Sequence, residues 1–403
     1  MLDQPAFGRR LRQLRQKQGL TQASLTGPRM SAAYVSRLEA GSRPPTMQSV
    51  QHLAAKLNVP ATAFDETEVT SLADVLATTV AIWDSAAASD LRRLLMDALE
   101  LDTHADLTVR WQACAQLAKL QSQCGDRDDE YRTLRELRRV SEELVHPVLL
   151  VHTHLRLARC ERALGRIEDA RGTARGGLLL AAQAGLDNDD VTRLKILLVS
   201  AAAELGDLAE AKRLSEETCE ALNEPNRPLA GEVWWTAATV ATRTGDYARA
   251  DLLLGKALAA VRSRDDLALW TRLRLAAAAL TLQGVPARLD LVERYLNEVK
   301  PALDLVGTPA NQQEHAFLTA QLRHHQGDHA AAAALCEAID RDTLLLGYRD
   351  RVRYRMLRAQ IRIAQGDLTA LDDLTALAGE VQEARMLDLA AEIWRTAAQT
   401  RHP

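Results

Sequence analysis

The chain reads as all-α: a small basic helical unit at residues 1–67, followed by a helical repeat array at 68–403. Three observations lead there. The composition is 47% hydrophobic and 26% charged, with only 4% aromatic residues, and its wealth of Ala and Leu favours helix over sheet. Helix caps and apolar residues at helical spacing fill the first 67 residues. Beyond them a glycine-centred mark recurs at intervals of 39 to 43 residues. The length of 403 residues allows two to four domains with sizeable cores, and 20 Gly and 12 Pro are too few for disorder.

The N-terminal unit divides into five helices. Phe7, Leu11, Leu14 and Lys17 share a face of the first, with Arg9, Arg10, Arg12 and Arg15 mostly outward. Gly19 ends it. Thr21 caps a short second helix, QASLT, and a tight turn follows at Gly27-Pro28. Ser31 caps a third helix, AAYVSRLEA, with Val35 and Leu38 inward; Gly41 ends it, and Pro44-Pro45 forces an extended link. Thr46 caps a fourth, MQSVQHLAAKLNV, which should bury Val50, Leu53, Ala54 and Leu57. PATAF supplies a short fifth. The second and third helices with their tight turn form a helix-turn-helix, an arrangement that presents one helix to the DNA major groove. Charge agrees. Residues 1–67 hold nine Lys/Arg against four Asp/Glu, a net of +5, so a total of −4 leaves −9 for the remainder. A basic unit joined to an acidic body is expected when only one end meets nucleic acid.

Several residues carry a closer likeness: Arg15, Gly19-Leu20-Thr21-Gln22, Leu25, Ser31, Val35-Ser36-Arg37-Leu38-Glu39-Ala40-Gly41 and Arg43-Pro44. Together they resemble the XRE-type helix-turn-helix family, which includes phage repressor and Cro domains, over about residues 6–65. The turn at Gly27-Pro28 is one residue shorter than that family's. The resemblance implies that Ala32, Ala33 and Arg37 face base edges. Of these only Arg37 can grip guanine bidentately, while the two alanines can touch a thymine methyl. It also implies that Gln22, Ser31, Tyr34, Ser36 and Arg43 bind phosphates and set register. Read from the residues alone, Arg37 could instead make a surface salt bridge within its helix. Glu39 reads as structural, pairing with Arg15.

The repeat mark falls at Gly125-Asp126, Gly165-Arg166, Gly206-Asp207, Gly245-Asp246, Gly284-Val285, Gly327-Asp328 and Gly366-Asp367. Such a period signals stacked helical hairpins, with Gly permitting positive φ at the end of one helix and Asp capping the next. The segment Trp234–Val261 is the clearest unit. Its Trp234, Gly245-Asp246-Tyr247, Ala250 and Ala257, with Ala170 and Ala211 in the corresponding places of other units, resemble the tetratricopeptide repeat, in a longer and divergent form. A HEAT-like array is the alternative. The fold expected is therefore a five-helix helix-turn-helix domain followed by an α-solenoid of about seven tetratricopeptide-like hairpins. Residues 70–103 form an atypical first cap, and Asp65–Thr70 the joint. A final helix at 380–400 shows Val381, Ala384, Leu387, Ala391, Trp394 and Ala398 on one face. In tetratricopeptide arrays the first helix of each pair lines a concave, ligand-binding face. Projected from each Gly, that face takes Arg159, Arg162, Arg193, Trp235, Thr239, Arg274, Gln321, His324, Arg353 and Gln360. The set suits a ligand with a carboxylate or acidic side chains; simple solvation is the plainer reading of each.

Motifs of catalysis and of nucleotide binding are absent, so neither an enzyme nor a cofactor is expected. His152 and His154, two apart on a helix, point to nearly opposite sides and suit no metal. The five Cys (114, 124, 160, 219 and 336) are odd in number and widely spaced. They read as buried free thiols of a reducing cytoplasm, a redox-sensing thiol being the alternative. Neither a leader nor a membrane span is expected. The combined resemblance is to bacterial regulators that join an XRE-type reader to a tetratricopeptide body and sense short signalling peptides, acting as homodimers on inverted-repeat double-stranded DNA. The competing reading is a scaffold that docks a protein partner, with DNA binding as a tether.

Overall fold

The computed structural model describes residues 4, 6–28, 30–64, 71–81, 88–102, 105–222, 224, 227–284, 286–340 and 343–401. Among them there are twenty α-helices and no strand, only an isolated bridge between Gly27 and Met30. By compactness the chain divides into two units, Met1–Trp83 with Arg93–Ala105, and Asp84–Arg92 with Asp106–Pro403. The expected joint at 65–70 lies outside the described residues, and residues 70–103 are shared between the units.

The first unit contains helices α1 (Ala6–Lys17), α2 (Ala32–Glu39), α3 (Met47–Lys56) and α4 (Leu72–Ala81), with single 3-10 turns at Gln22–Leu25 and Ala61–Phe64. Two of the five expected helices are thus one-turn 3-10 pieces. At Gln22–Leu25 the chain is already extended by Thr26, too soon for α-helical bonds to repay their nucleation. The caps fall where expected. Thr21 accepts from the Ser24 amide, Ser31 from Tyr34, and Thr46 from Ser49 in a full capping box. The core joins Phe7, Leu11, Leu25, Val35, Leu38, Val50, Leu53, Leu57 and Phe64, with the rings of Phe7 and Phe64 5.2 Å apart.

In the second unit seven hairpins follow one another: α6 (Leu107–Cys124) with α7 (Arg127–Leu144), α8 (Pro147–Ala163) with α9 (Ile167–Gln183), α10 (Asp189–Glu204) with α11 (Leu208–Glu220), α12 (Pro228–Arg243) with α13 (Tyr247–Ala260), α14 (Leu267–Gln283) with α15 (Leu289–Val306), α16 (Pro309–His325) with α17 (His329–Asp340), and α18 (Tyr348–Ala364) with α19 (Ala370–Glu383). Helix α5 (Ala88–Leu101) is divided between the two units, and α20 (Leu387–Arg401) ends the array. Six of the seven marker glycines have φ between 79° and 97°. Gly284 does not, at φ −67° and ψ 153°. Here the following helix starts five residues after the glycine rather than two, so the tight turn opens into a loop. Asp207, Asp246 and Asp328 cap as expected, whereas Asp126 and Arg166 make no capping bond.

The final helix departs from its expected face. Arg385 takes φ 57° and breaks the chain between α19 and α20. Val381 therefore belongs to the α19 core, and the helical phase restarts. Met386, Leu389, Ala390, Ile393 and Ala397 are the buried set, while Ala384, Leu387, Ala391, Trp394 and Ala398 face outward.

The array curls back on itself. Leu345 lies over Gly125, the Tyr348 ring over Gly165 and Leu387 over Gly206. One apolar cluster joins Ile167 and Ala201 to Val352, Met356, Leu374 and Leu389. Burial pushes the Cys114 thiol up to about 11 and the Cys160 thiol to about 12. No described helix is long and apolar enough to cross a membrane.

Two glycine substitutions separate turn strain from closure. Gly245 has φ +79° and open space beside it, so Gly245→Ala should cost only the left-handed penalty, about 1–2 kcal/mol. At Gly165 (φ +81°) a Cβ would stand 2.8 Å from the Tyr348 ring, adding overpacking of roughly 1–3 kcal/mol. Urea midpoints of the full chain read both; equal losses would mean that Tyr348 does not seal the curl.

Candidate nucleic-acid interface and candidate groove

Helix α2 is held by its buried residues, Val35 and Leu38, which leave one face open. Ala32, Ala33, Ser36 and Arg37 are exposed, and so is the capping Ser31. The Arg37 Nε donates to its own helix at Ala33 O, 3.3 Å away, and Arg37 has no ion pair with any described residue. Of its two readings, the salt bridge within the helix is not formed. The Arg43 guanidinium lies 4.6 Å from the centre of the Tyr34 ring, so a cation and a phenol sit side by side. Gln22, expected on phosphate, is turned inward and donates to Glu39 Oε2 at 2.8 Å.

That bond belongs to a three-residue tie. Arg15 grips Glu39 with Nε at 2.6 Å and Nη2 at 3.0 Å, and its Nη1 donates to Leu20 O at 2.9 Å. Helix α1, the 3-10 turn and the end of α2 are fastened at one carboxylate. Burial alone would raise Glu39; hydrogen bonds from Arg15 and Gln22, with the Arg15 and Arg12 charges, bring it below its ordinary value. The shortened turn is braced by paired Gly27–Met30 amide bonds of 3.0 Å. There His52, which the sequence reading passed over, contacts Leu25 O at 3.2 Å and packs on Gly27.

In the array, five of the ten expected groove residues line one cavity. Arg159, Arg162, Arg193, Trp235 and Thr239 surround about 210 Å³ together with Glu204, Glu232, Arg243 and Arg272. The others lie elsewhere. Arg274 stacks 3.7 Å from Trp270 and pairs with Glu298 of α15 at 2.9 Å, on the far side of α14. Helix α14 is buried on nearly every side, so periodicity could not set its phase, and Arg272 is the residue that reaches the cavity. His324 meets His329 at 3.1 Å between Nδ1 atoms and is pushed down to about 4 by burial and by its histidine neighbours. Arg353 is held by Glu392 at 2.8 Å and Gln283 at 3.1 Å. Gln321 and Gln360 are half-buried and do not line the cavity. His152 bonds Asp190 and His154 its own Leu150 carbonyl, on different sides of α8.

Residues 6–81 match the helix-turn-helix domain family, and this part of the chain is such a domain. No curated protein matches the chain in sequence. Among solved structures, phAimR with its ligand is similar at 11% identity over 88% of this chain and 98% of that one, with a TM-score of 0.50. PlcR of Bacillus thuringiensis, in complex with the peptide PapR7 and DNA, is similar at 18% identity over 78% of this chain and 98% of that one, with a TM-score of 0.39. The Rap conjugation gene regulator of plasmid pLS20, in complex with the Phr* peptide, is similar at 12% identity, 90% and 98%, with a TM-score of 0.47. The likeness to phAimR is one of fold.

Glu39→Gln should loosen the first unit by about 2–3 kcal/mol, the scale of hydrogen bonds to a charged group. The carboxyl is depressed in the fold, so its contribution is complete above the unfolded value, about 4.3, and disappears as pH falls below it. Hydrogen exchange of α1 and α2 amides across pH 3–7 reads this. Wild type should converge on the variant at low pH; equal protection at pH 7 would refute the tie.

Proposed function

We propose that this chain is a DNA-binding transcriptional regulator whose repeat array binds a ligand, a short peptide, and adjusts operator affinity. The observation that carries the DNA half is the open face of α2: Ala32, Ala33 and an Arg37 that forms no ion pair among the described residues, on a capped helix within a domain that matches the helix-turn-helix family. Ser31, Ser36 and the Arg43–Tyr34 pair flank that face as phosphate contacts. Gln22 serves instead to hold Glu39. The ligand half draws support from the arginine-lined cavity, from the resemblance to XRE-type regulators with tetratricopeptide bodies, and from the fold likeness to phAimR, which was solved with a ligand. A cavity of about 210 Å³ suits part of a peptide better than a folded partner.

In this reading the protein acts in the cytoplasm as a homodimer, because inverted-repeat operators have two-fold symmetry. It catalyses no reaction and needs no cofactor. Ligand and operator are coupled reciprocally, typically by about 1–3 kcal/mol.

Fluorescence anisotropy with inverted-repeat fragments tests the proposal. Affinity should fall steeply with salt as phosphate charges are matched by Lys and Arg. Arg37→Ala should lose about 1–3 kcal/mol and relax preference at one base pair. Unaltered affinity and sequence preference in Arg37→Ala would remove Arg37 from the interface.

A further inference from the structure

Arg159, Arg193 and Arg272 line one cavity with Glu232 at the inner edge of helices α8, α10, α12 and α14. Arg193 donates to Glu232 at 3.1 Å and also lies 3.7 Å from Asp190. Arg159 reaches the same Glu232 only at 3.9 Å. Arg272 closes the ring from α14, 5.9 Å from the centre of the Trp235 ring, and forms no ion pair with any described residue. The floor is Arg162, 2.8 Å from the fully buried Glu204, with Arg243 at 3.9 Å on its other side. Five Arg line this cavity against two Glu, with Asp190 beside Arg193 and Asp388 beside Arg243 just outside the lining.

Such convergence has a cost. Like charges in a partly desolvated site repel more strongly than in water. The repulsion is visible at Arg159, whose basicity is lowered first by burial and then by Arg272 and Arg193, against the pull of Glu232. Yet Arg159 keeps 48% of its side chain exposed, and Arg272 is exposed too. Both forks are accessible and under-matched, and the Trp235 indole lines the same cavity, 5.9 Å from Arg272. Arginine forks match carboxylates bidentately.

We propose that this cavity takes the carboxylate of the ligand, gripped by Arg159 and Arg272, with an apolar or aromatic group laid on Trp235. Glu232 acts as the resident anion that the ligand displaces. The volume, about 210 Å³, fits a terminal residue or a small carboxylic acid rather than a whole peptide. The inference rests on the ligand-sensing reading of the array, but it concerns chemistry, not ligand length.

Native mass spectrometry and calorimetry on the full chain test it with three probes: a randomised heptapeptide pool with free C-termini, the same pool amidated, and 3-phenylpropionate. Free-acid probes should bind, and amidation should weaken them about ten-fold. Arg159→Gln with Arg272→Gln should weaken them at least as much. Glu232→Gln should tighten them several-fold, a gain that misfolding cannot produce. Peptides bound equally well free or amidated, or equally well by the double variant, would overturn the carboxylate site while leaving peptide sensing intact. Retention of 3-phenylpropionate but of no peptide, with loss in the double variant, would support the site and remove the peptide. No binding of any probe by wild type or Glu232→Gln would overturn the site.

Discussion

The curl of the array onto itself is the constraint on which the rest of the second unit depends. The loops of the first three hairpins end in glycines that lack side chains, and Leu345, Tyr348 and Leu387 settle on them. The apolar cluster from Ile167 to Ile393 then welds hairpins two and three to the last hairpin and to α20. A Cβ at Gly125 or Gly165 would press on Leu345 or on the Tyr348 ring, whereas at Gly206 it would meet Leu387 at an ordinary 3.5 Å. Once the two ends of the array are joined, the inner faces of the first helices look at one another across a narrow space. Every charge on those faces must then be matched by another charge or by a ligand, since water is partly excluded.

Most of these charges are matched. Arg349 binds Asp388 at 2.7 Å, Arg353 binds Glu392 at 2.8 Å, and Arg243 stands 3.3 Å from Asp388. Burial raises both Glu204 and Asp388, and the surrounding arginines bring each below its ordinary value. The neighbouring acids Glu314 and Asp350 are exceptions, each raised by burial. Burial and the Asp350 carboxylate push Glu314 up to about 8 against the pull of Arg272. The fold thus holds a proton there that the unfolded chain gives up near pH 4.3, so this acid lowers stability as pH rises from about 4.3 toward 8. Pairs of this kind add little net stability, because desolvation offsets attraction. Their effect is to favour one register of the closed array over others.

How much was legible in the sequence follows from the range of the forces involved. Caps and turn glycines act within four residues, so Thr21, Ser31, Thr46 and six of the seven marker glycines fell where local chemistry put them. The pairing of Arg15 with Glu39 was also legible, because its helix-turn-helix context resembles a known family. Failures came where phase is set by tertiary contact. Helix α14 is surrounded by apolar neighbours, so nothing in its pattern distinguishes Arg272 from Arg274. In α20 one left-handed residue, Arg385, restarted the phase and turned Leu387 and Trp394 outward. The inward turn of Gln22 was hidden because Glu39 lies seventeen residues away. Glu232 was missed for a related reason: its role appears only when α8 and α10 bring Arg159 and Arg193 to it.

The cavity and the closure share residues. Glu204 and Arg243 form the cavity floor, and Arg243 also faces Asp388 on α20. Glu204 feels Arg349 of α18 as well as Arg162 of α8. These groups are buried, so their interactions are poorly screened by salt and reach further than a surface pair would. A negative charge entering beside Arg159 and Arg193 would draw on the same arginines that hold Glu232 and Glu204, and Glu204 in turn shares Arg243 with Asp388. The balance of charge in the groove is therefore also a term in the free energy that holds the two ends of the array together. Helices packed in this way shift between discrete arrangements rather than deforming continuously. A small electrostatic change at the cavity is thus placed where it can bias the position of whole helices.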